Sequence, residues 1–294
     1  MALYPQSRAA VEAGLSEVPV FDPSFDIAAS RAAAVSAAAA DEREDVDQVT
    51  DVDADGVRCR LYRPVNSHGV IVHLHGGGFV FHDIDVHDAA ARRLANRSGR
   101  AVLSVDYRRP PEHRFPAAPD DADTAVRWLS RSRAELGIDG PTYVHGDSAG
   151  GNLALVAALR NPGVFRAVAL TYPFLDPQAG FESYRTATDG FDPAEAAWYW
   201  EKYAATPADL VNPDLAPLLS DRLGSLPPTL VVTSEHDPLR DEGEELARLL
   251  AEAGVEVVGT RYLGQLHGFW RHVDVFDAAD PLTRQIAGFF AQHA

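Results

Sequence analysis

The chain has almost no cysteine and almost no lysine. Cys59 is the one cysteine among 294 residues, which excludes an internal disulfide. It lies in a strand-like run, and nothing around it suggests the low pKa that a catalytic thiol needs, so we expect a small packed residue. Lys202 is the one lysine, and with the high alanine content we interpret the arginine bias as the signature of a GC-rich genome.

Hydrophobic runs of membrane-spanning length are also missing. No apolar stretch approaches about 20 residues, and no basic N-terminal region is followed by an apolar core. Acidic residues outnumber basic ones, 43 against 26, and the net charge of −17 argues against nucleic acid and anionic membranes as partners. We therefore expect a cytoplasmic protein without a membrane span.

Short apolar strands alternate with helical stretches along most of the chain. A helix-prone N-terminal segment is followed by a hairpin that turns at Asp55-Gly56. Further strands are predicted near 70–74, 101–106, 142–145, 166–171, 229–233 and 255–262, and helices near 86–97, 118–135, 149–160, 238–253 and 281–293. Alternating βα units predict one large α/β domain with a mostly parallel sheet that helices cover on both faces.

A glycine-flanked serine follows one of these predicted strands. The run Gly146-Asp147-Ser148-Ala149-Gly150 fits the pattern G-x-S-x-G, in which a serine occupies a sharp strand-to-helix turn. Glycines on either side remove the Cβ atoms that would clash in such a turn. Because a strand precedes the pattern and an apolar helix follows it, we predict that Ser148 is a catalytic nucleophile and that Asp147 braces the turn through hydrogen bonds.

Three consecutive glycines follow the apolar strand that ends near Leu74. Acyl transfer from a serine passes through an oxyanion, which needs preorganised N–H donors at about 2.7–3.1 Å. We assign the amides of Gly77 and Gly78 to this role, with the amide of Ala149 as the third donor. The alternative is a plain tight turn or a phosphate cradle, but neither G-x-G-x-x-G nor G-x-x-x-x-G-K-[ST] occurs in the sequence.

A serine hydroxyl becomes a good nucleophile when a histidine takes its proton and a carboxylate orients that histidine. On strand–turn–helix hydrolases the order along the chain is Ser, then Asp or Glu, then His. Asp237 and His267 each follow a predicted strand, so both are expected on loops at the carboxyl ends of parallel strands, where open α/β sheets gather their sites. We assign Asp237 as the orienting acid and His267 as the base.

Several neighbours compete for these two roles. The rival acids are Glu235, Asp241 and Glu242, and the rival bases are His236 and His272. Glu235 is expected at the end of a strand. Asp241 and Glu242 are expected as solvated acids in the first turn of the next helix. Neither rival histidine is followed by a small residue suited to a tight turn, whereas Gly268 follows His267.

Histidines are crowded around the glycine run, at His73, His75, His82 and His87. An H-x-H pair could suggest a metal, and catalytic zinc takes three protein ligands with one open position. We disfavour a metal because His75 already forms the hinge of the glycine turn. The sequence therefore predicts neither a metal nor another cofactor.

Five motifs occur in an order that resembles one enzyme family. They are His75-Gly76-Gly77-Gly78-Phe79, Asp106-Tyr107-Arg108 with Pro111-Glu112-His113-Arg114-Phe115-Pro116-Ala117-Ala118, Gly146-Asp147-Ser148-Ala149-Gly150-Gly151-Asn152, Asp237-Pro238-Leu239-Arg240-Asp241-Glu242 and His267-Gly268-Phe269. From about residue 55 onward the chain is similar to the bacterial hormone-sensitive-lipase-like carboxylesterases, the GDSAG branch of the α/β-hydrolase superfamily. The resemblance implies an α/β-hydrolase fold with a mostly parallel eight-stranded sheet, helices on both faces and a helical cap. It also implies hydrolysis of short to medium acyl-chain carboxylic esters, small-molecule substrates, without a cofactor.

The resemblance also implies how the chain is divided. The cap is expected from residues 1–45 and from an insertion at 176–225, and the catalytic domain from residues 46–175 and 226–294. The insertion is dense in aromatic residues, and pocket-lining residues are predicted at Phe21, Phe25, Trp198, Tyr199 and Tyr203. By analogy with the family, the strand near 255–262 could support a homodimer.

Two departures and two alternatives accompany this interpretation. Arg109-Pro110 stands where family members usually carry Leu-Ala, and His82 where a small residue is common, which puts the substrate preference in doubt rather than the reaction. An amidase or lactonase with the same triad is the first alternative. A non-catalytic receptor on this fold is the second, although such receptors typically lack the triad histidine that His267 supplies here.

A histidine base predicts how the rate depends on pH. We expect activity to fall below about pH 6, because the protonated imidazole can no longer accept the serine proton. Initial rates measured on one ester between pH 4 and pH 8 test this. A rate that stays flat down to pH 4 would rule out a histidine base.

Overall fold

The computed structural model of the protein describes residues 2–14 and 18–294. Within these residues one sheet contains eight strands: β1 (Gln48–Ala54), β2 (Val57–Arg63), β3 (Val70–Leu74), β4 (Ala101–Val105), β5 (Thr142–Asp147), β6 (Val168–Thr171), β7 (Thr229–His236) and β8 (Val257–Leu266). The strands lie side by side in the order β1-β2-β4-β3-β5-β6-β7-β8. β2 pairs antiparallel with β1 and β4, and every other neighbouring pair is parallel. The predicted mostly parallel eight-stranded sheet is confirmed.

Helices connect most of the strands. In the described ranges they are α1 (Pro5–Gly14), α2 (Ile27–Ala38), α3 (Asp88–Ser98), α4 (Ala117–Ser132), α5 (Ala149–Arg160), α6 (Ser183–Thr186), α7 (Pro193–Tyr203), α8 (Arg240–Glu252) and α9 (Ala279–Gln292). Short 3-10 helices occur at Pro207–Val211, Pro217–Leu219, Leu223–Ser225 and Phe269–Arg271. None of the helices in these ranges combines the length and hydropathy needed to cross a bilayer.

Alternation along the strands divides the core into two layers. In β3, Val70, Val72 and Leu74 pack in one core with side chains of α4, α5 and α8, whereas Ile71 belongs to a second core with α3 and α9. Successive side chains of a strand point to opposite faces, so this split follows directly from the pleat. Helices therefore cover both faces, which is why these inner strands are buried along their whole length.

The first hairpin turns where the sequence predicts it. Ala54 pairs with Val57, which leaves Asp55 and Gly56 as a two-residue turn. Their φ angles are 55° and 92°, and positive φ at both central positions is typical of a type I′ turn. An aspartate followed by a glycine tolerates this geometry well, so the local sequence is sufficient to place the turn.

Two segments interrupt the βα alternation and pack near the same end of the sheet. On α2, Arg31 donates to the carbonyl oxygen of Val80 at 2.9 Å and pairs with Glu112 at 2.9 Å. On α7, the ring of Tyr203 stacks on that of Phe79 with centroids 3.8 Å apart. α1 and α2 form the first segment, and α6 and α7, between β6 and β7, belong to the second. The division into a cap and a catalytic domain stays a prediction.

The outermost strand on one side of the sheet is β8. Val258 and Leu263 on this strand are 41% and 44% exposed, respectively. An edge strand with exposed backbone groups can pair with another chain. The predicted homodimer stays a prediction.

Glu242, in the first turn of α8, is buried rather than solvated. Its Oε1 accepts a hydrogen bond from the amide of Leu175 at 2.6 Å, and its Oε2 accepts from the amide of Asp176 at 3.2 Å and the hydroxyl of Tyr184 at 3.0 Å. The sequence-based expectation of a solvated acid was therefore wrong. The segment after β6 folds over the start of α8 and supplies these donors, which the helical periodicity of α8 cannot show.

We expect Glu242→Gln to lower the thermal stability. The NH₂ group of the glutamine would face N–H and O–H donors instead of accepting from them. The unmade hydrogen bonds would lower the free energy of unfolding by about 1–3 kcal/mol and hence Tm by roughly 3–10 °C. Glu252→Gln, on the exposed end of the same helix, is the matched control and should leave Tm almost unchanged. Thermal unfolding of both variants by circular dichroism makes the comparison, and equal Tm values would contradict the structural role of Glu242.

Candidate active site

Ser148 lies between β5 and α5 in a strained backbone turn. Its φ of 55° and ψ of −122° fall where residues other than glycine are rarely found. Close packing requires the flanking glycines: a Cβ at Gly146 would fall on the carbonyl oxygen of Gly150, and a Cβ at Gly150 would fall on that of Leu74. The turn therefore holds the serine at the carboxyl end of β5.

Two neighbouring strand ends bring a carboxylate and a histidine to this serine. β7 and β8 are parallel neighbours, and Asp237 and His267 are the first residues after them. His267 Nε2 lies 2.9 Å from Ser148 Oγ, and His267 Nδ1 lies 2.8 Å from Asp237 Oδ2. Asp237 is fully buried, and its Oδ1 accepts from the amide of Leu239 at 2.9 Å. The structure thus joins the three predicted residues in one hydrogen-bonded chain.

The rival acids and bases make hydrogen bonds elsewhere. Glu235 accepts from a backbone amide of β8 at 2.7 Å, and Asp241 accepts from the amide that begins α6 at 2.8 Å. His236 Nδ1 lies 2.6 Å from Asp189 Oδ2. His272 Nε2 lies 3.2 Å from the guanidinium of the preceding arginine. The arrangement around Ser148 therefore favours Asp237 and His267.

Hydrogen bonds fix the glycine loop that follows β3. The hydroxyl of Tyr107 donates to the carbonyl oxygen of His75 at 2.7 Å, and the amide of Gly76 donates to Asp147 Oδ1 at 3.0 Å. The carbonyl oxygen of Gly77 accepts from amides three and four residues later, at 3.0 and 2.7 Å. Asp147 is buried, and this burial raises the pKa of its carboxyl to about 6. The bracing role expected for Asp147 agrees with these contacts.

Three backbone amides, two in the glycine loop and one at the start of α5, are left available. Gly77 and Gly78 have φ angles of 122° and 58°, which glycine adopts without strain. Ala149 begins α5, and the first amides of a helix have no partner within the helix. In the described part of the chain, no hydrogen bond joins the amides of Gly77, Gly78 or Ala149 to a protein acceptor. This is the pattern expected of donors that serve a ligand.

Buried histidines lie close to the glycine loop. His73 Nδ1 is 3.1 Å from His145 Nδ1, and the other ring nitrogen of His145 is 3.1 Å from Thr171 Oγ1. The ring of His87 lies 5.7 Å from that of His73 and 5.5 Å from that of His75. Burial lowers the pKa of all four histidines, to about 4 for His73, which keeps the imidazoles neutral.

One group among these residues has the composition of a metal site. His73, His87 and Asp147 offer ligand atoms within 4.8 Å of one another. However, two of these side chains already have protein partners: His73 Nδ1 lies 3.1 Å from His145 Nδ1, and Asp147 Oδ1 accepts from the amide of Gly76 at 3.0 Å. We therefore assign no metal here, and the expectation that the protein uses no cofactor stays a prediction.

A cavity of about 720 Å³ reaches His267 and Gly77. Of the five predicted pocket residues, it is lined by Phe21, Phe25 and Tyr199. Trp198 and Tyr203 do not line it. Trp198 precedes Tyr199 by about 100° around α7 and lies beneath the Lys202 ammonium instead, 5.3 Å from it. Tyr203 is one turn deeper and fully buried against the core.

Sequence reasoning missed several lining residues. They include Phe81, His82, Asp189, Phe191, Asp192, Glu195, Leu266, His272 and Phe276. The ring of Phe191 lies 5.0 Å from that of His267, which makes it a direct neighbour of the candidate base. For Phe191, the signal that could have found it is the aromatic density of the insertion. For Phe81, the signal is its position four residues after Gly77.

Comparison with known proteins places these features in a family. A family model described as an alpha/beta hydrolase fold matches residues 71–271. An ethyl acetate hydrolase of Pseudomonas putida is 34% identical over 275 residues, which are 88% of this chain and 86% of that protein. An arylesterase of Saccharolobus solfataricus is 36% identical over 219 residues, which are 71% of this chain and 72% of that protein.

Solved structures are similar over almost the whole chain. A hyperthermophilic esterase from the archaeon Pyrobaculum calidifontis superimposes with a TM-score of 0.89 at 36% identity, and the match covers 98% of this chain and 97% of that chain. An ester hydrolase from the Lake Arreo metagenome, solved with a bipyridine phosphonate derivative, gives a TM-score of 0.90 at 33% identity with 99% of each chain covered. The likeness therefore extends through both segments that interrupt the βα alternation.

The contact between Asp147 and Gly76 predicts how the serine reacts. Asp147→Ala removes the acceptor that holds the glycine loop, and we expect labelling of Ser148 by a fluorophosphonate to slow about tenfold, less than the 10²–10³ lost when a donor itself is removed. Asp147→Asn keeps an acceptor oxygen and should slow labelling less than about twofold. Labelling rates followed by mass spectrometry test this, and equal loss in both variants would refute the bracing role.

Proposed function

Because this chain belongs to the alpha/beta-hydrolase fold family, and within it to the hormone-sensitive-lipase-like carboxylic ester hydrolases, we propose that it is a serine carboxylesterase that acts through Ser148, His267 and Asp237. The observation that carries the proposal is the continuous hydrogen-bonded chain from Asp237 Oδ2 through both nitrogens of His267 to Ser148 Oγ. Such a chain suits the transfer of a proton away from a nucleophilic hydroxyl.

In the first half-reaction Ser148 Oγ attacks the ester carbonyl carbon while His267 Nε2 takes the hydroxyl proton. Asp237 fixes the tautomer of His267 through Nδ1 and stabilises the imidazolium that forms. The tetrahedral intermediate then collapses, and the alcohol leaves with the proton held on His267 Nε2. An acyl group remains on Ser148.

The negative oxygen of the tetrahedral intermediate requires donors that are in place before the reaction. We assign this role to the amides of Gly77, Gly78 and Ala149, because Gly77 lines the same cavity as His267, Ala149 follows Ser148, and none of the three amides has a protein acceptor in the described residues. Their positions are set by the bonds from Tyr107 and to Asp147, so little reorganisation is needed.

The second half-reaction uses the same groups with water as the nucleophile. His267 Nε2 takes a proton from water, the hydroxide oxygen attacks the acyl carbon, and a second oxyanion forms at the same amides. When this intermediate collapses, the bond to Ser148 Oγ breaks and the proton on His267 returns to that oxygen. The carboxylic acid leaves and the free enzyme is restored.

We propose esters of short to medium acyl chains as substrates. The cavity of about 720 Å³ is of the size that binds small organic ligands, and aromatic rings of Phe25, Phe81, Phe191 and Tyr199 line it. The relative named ethyl acetate hydrolase carries a short-chain ester in its name, which supports the same range.

We expect Ser148→Ala to lower kcat on p-nitrophenyl butyrate by about four orders of magnitude or more while Tm changes little. Ser225→Ala, at an exposed position, is the matched control and should keep full activity. The assay includes butyryl p-nitroanilide, which shares the acyl group and tests the amide alternative. Near-normal hydrolysis of the ester by Ser148→Ala would overturn the proposal. Faster turnover of the anilide than of the ester by the unmodified enzyme would show that the protein is an amidase.

A further inference from the structure

The charged side chains that line the catalytic cavity are all acidic in the described part of the chain. They are Asp189, Asp192 and Glu195, which lie just before α7 or in its first turn. Asp189 Oδ2 is 2.6 Å from His236 Nδ1, and the Asp192 carboxylate accepts from the amide of Ala194 at 2.7 Å. These contacts fix two of the three carboxylates in position without pairing them with a lysine or arginine.

Neighbouring basic groups do not reverse the charge of this part of the cavity. Arg31 lies on α2 close to lining residues, but its guanidinium pairs with Glu112. Arg271 does not line the cavity, and its charge lowers the pKa of Asp147, His82 and His272. His82 and His272 also line the cavity, and burial lowers the pKa of both, to about 4 for His272, so they are neutral at pH 7.

Aromatic rings form a continuous wall beside these carboxylates. The Phe25 and Phe81 rings meet edge to face with centroids 5.9 Å apart, and Phe81 and Tyr199 do so at 6.0 Å. Phe191 lies 6.2 Å from Tyr199 and 5.0 Å from His267. The face of an aromatic ring attracts a cation, and clusters of aromatic rings recognise quaternary ammonium groups.

We propose that the enzyme selects esters that carry a positively charged alkylammonium group on the part that extends from Ser148 toward Asp189, Asp192 and Glu195. The inference rests on the proposed esterase function and adds the substrate class. The reacting carbonyl lies at Ser148, and the cationic group extends toward the carboxylates that line the same cavity. An anionic group in that place would be disfavoured by the same charges.

The attraction is electrostatic and therefore depends on salt. The N-terminus of α7 offsets part of the charge of Asp192 and of Glu195, which lies in its first turn. Asp189 is 42% exposed on its side chain, and attraction to an exposed charge is screened by ions in solution. The preference should accordingly be large at low ionic strength and small at high ionic strength.

Matched isosteres test the proposal on both sides of the ester bond. On the alcohol side, choline butyrate is compared with 3,3-dimethylbutyl butyrate, in which carbon replaces the charged nitrogen. On the acyl side, the p-nitrophenyl esters of 4-(trimethylammonio)butyrate and 5,5-dimethylhexanoate form the corresponding pair. We expect kcat/KM for the cationic member of at least one pair to exceed that of its isostere by about fivefold or more in buffer of low ionic strength. In 1 M NaCl, where the Debye length is about 3 Å, the ratio should fall below about twofold.

The double variant Asp192→Asn with Glu195→Gln links this ratio to the named carboxylates. Asparagine caps a helix as well as aspartate does, so the start of α7 is retained. We expect the ratio of cationic to neutral kcat/KM to fall below about twofold. Glu201→Gln with Glu252→Gln, which removes the same total charge at exposed positions that do not line the cavity, should keep the ratio of the unmodified enzyme.

A ratio near one in both pairs, with the neutral esters still hydrolysed, would overturn the inference and leave the esterase proposal intact. A ratio that the cavity variant and the control variant lower equally would also overturn it, because the preference would then belong to the net charge of the protein. If no ester of either kind is hydrolysed and Ser148 resists a fluorophosphonate, the esterase proposal itself fails.

Discussion

At Ser148 the backbone adopts a φ of 55°, and much of the site depends on this bend. The bend is possible because Gly146 and Gly150 allow backbone to approach backbone, and it begins α5 directly after the serine. One residue earlier, the carboxylate of Asp147 is thereby placed to hold the amide of Gly76. A single turn therefore positions the nucleophile, the first amide of α5 and the brace of the glycine loop, and a shift in any of them would move the others.

Around this turn, donor amides and acidic side chains serve different parts of the proposed reaction. The amides of Gly77, Gly78 and Ala149, which have no protein acceptor in the described residues, are the donors assigned to the negative charge that develops during acyl transfer. Carboxylates at and just before the start of α7 line the same cavity, and the histidines that also line it, His82 and His272, are neutral. In the account proposed above, the amides stabilise the reaction and the carboxylates select the rest of the substrate by charge.

The sheet and the candidate catalytic residues were predictable from the sequence because both depend on local patterns. Strands and the Asp55-Gly56 turn follow from runs of apolar and turn residues, and Ser148, Asp237 and His267 follow from motifs at strand ends. The cavity was less predictable. Tyr199 lines it whereas Tyr203 does not, since the depth of each turn of α7 depends on how the insertion packs against the core. Glu242 was misjudged because its donors come from a segment 58 to 67 residues away in sequence.

The most direct test of the central claim is to trap the acyl-enzyme. The enzyme is mixed with p-nitrophenyl butyrate, quenched in acid at times shorter than one turnover, digested and analysed by mass spectrometry. The account predicts one butyryl group, attached to Ser148, which appears with the first release of p-nitrophenol and disappears when the substrate is exhausted. A butyryl group on another residue, or sustained hydrolysis with no acyl group on Ser148 at any quench time, would contradict it.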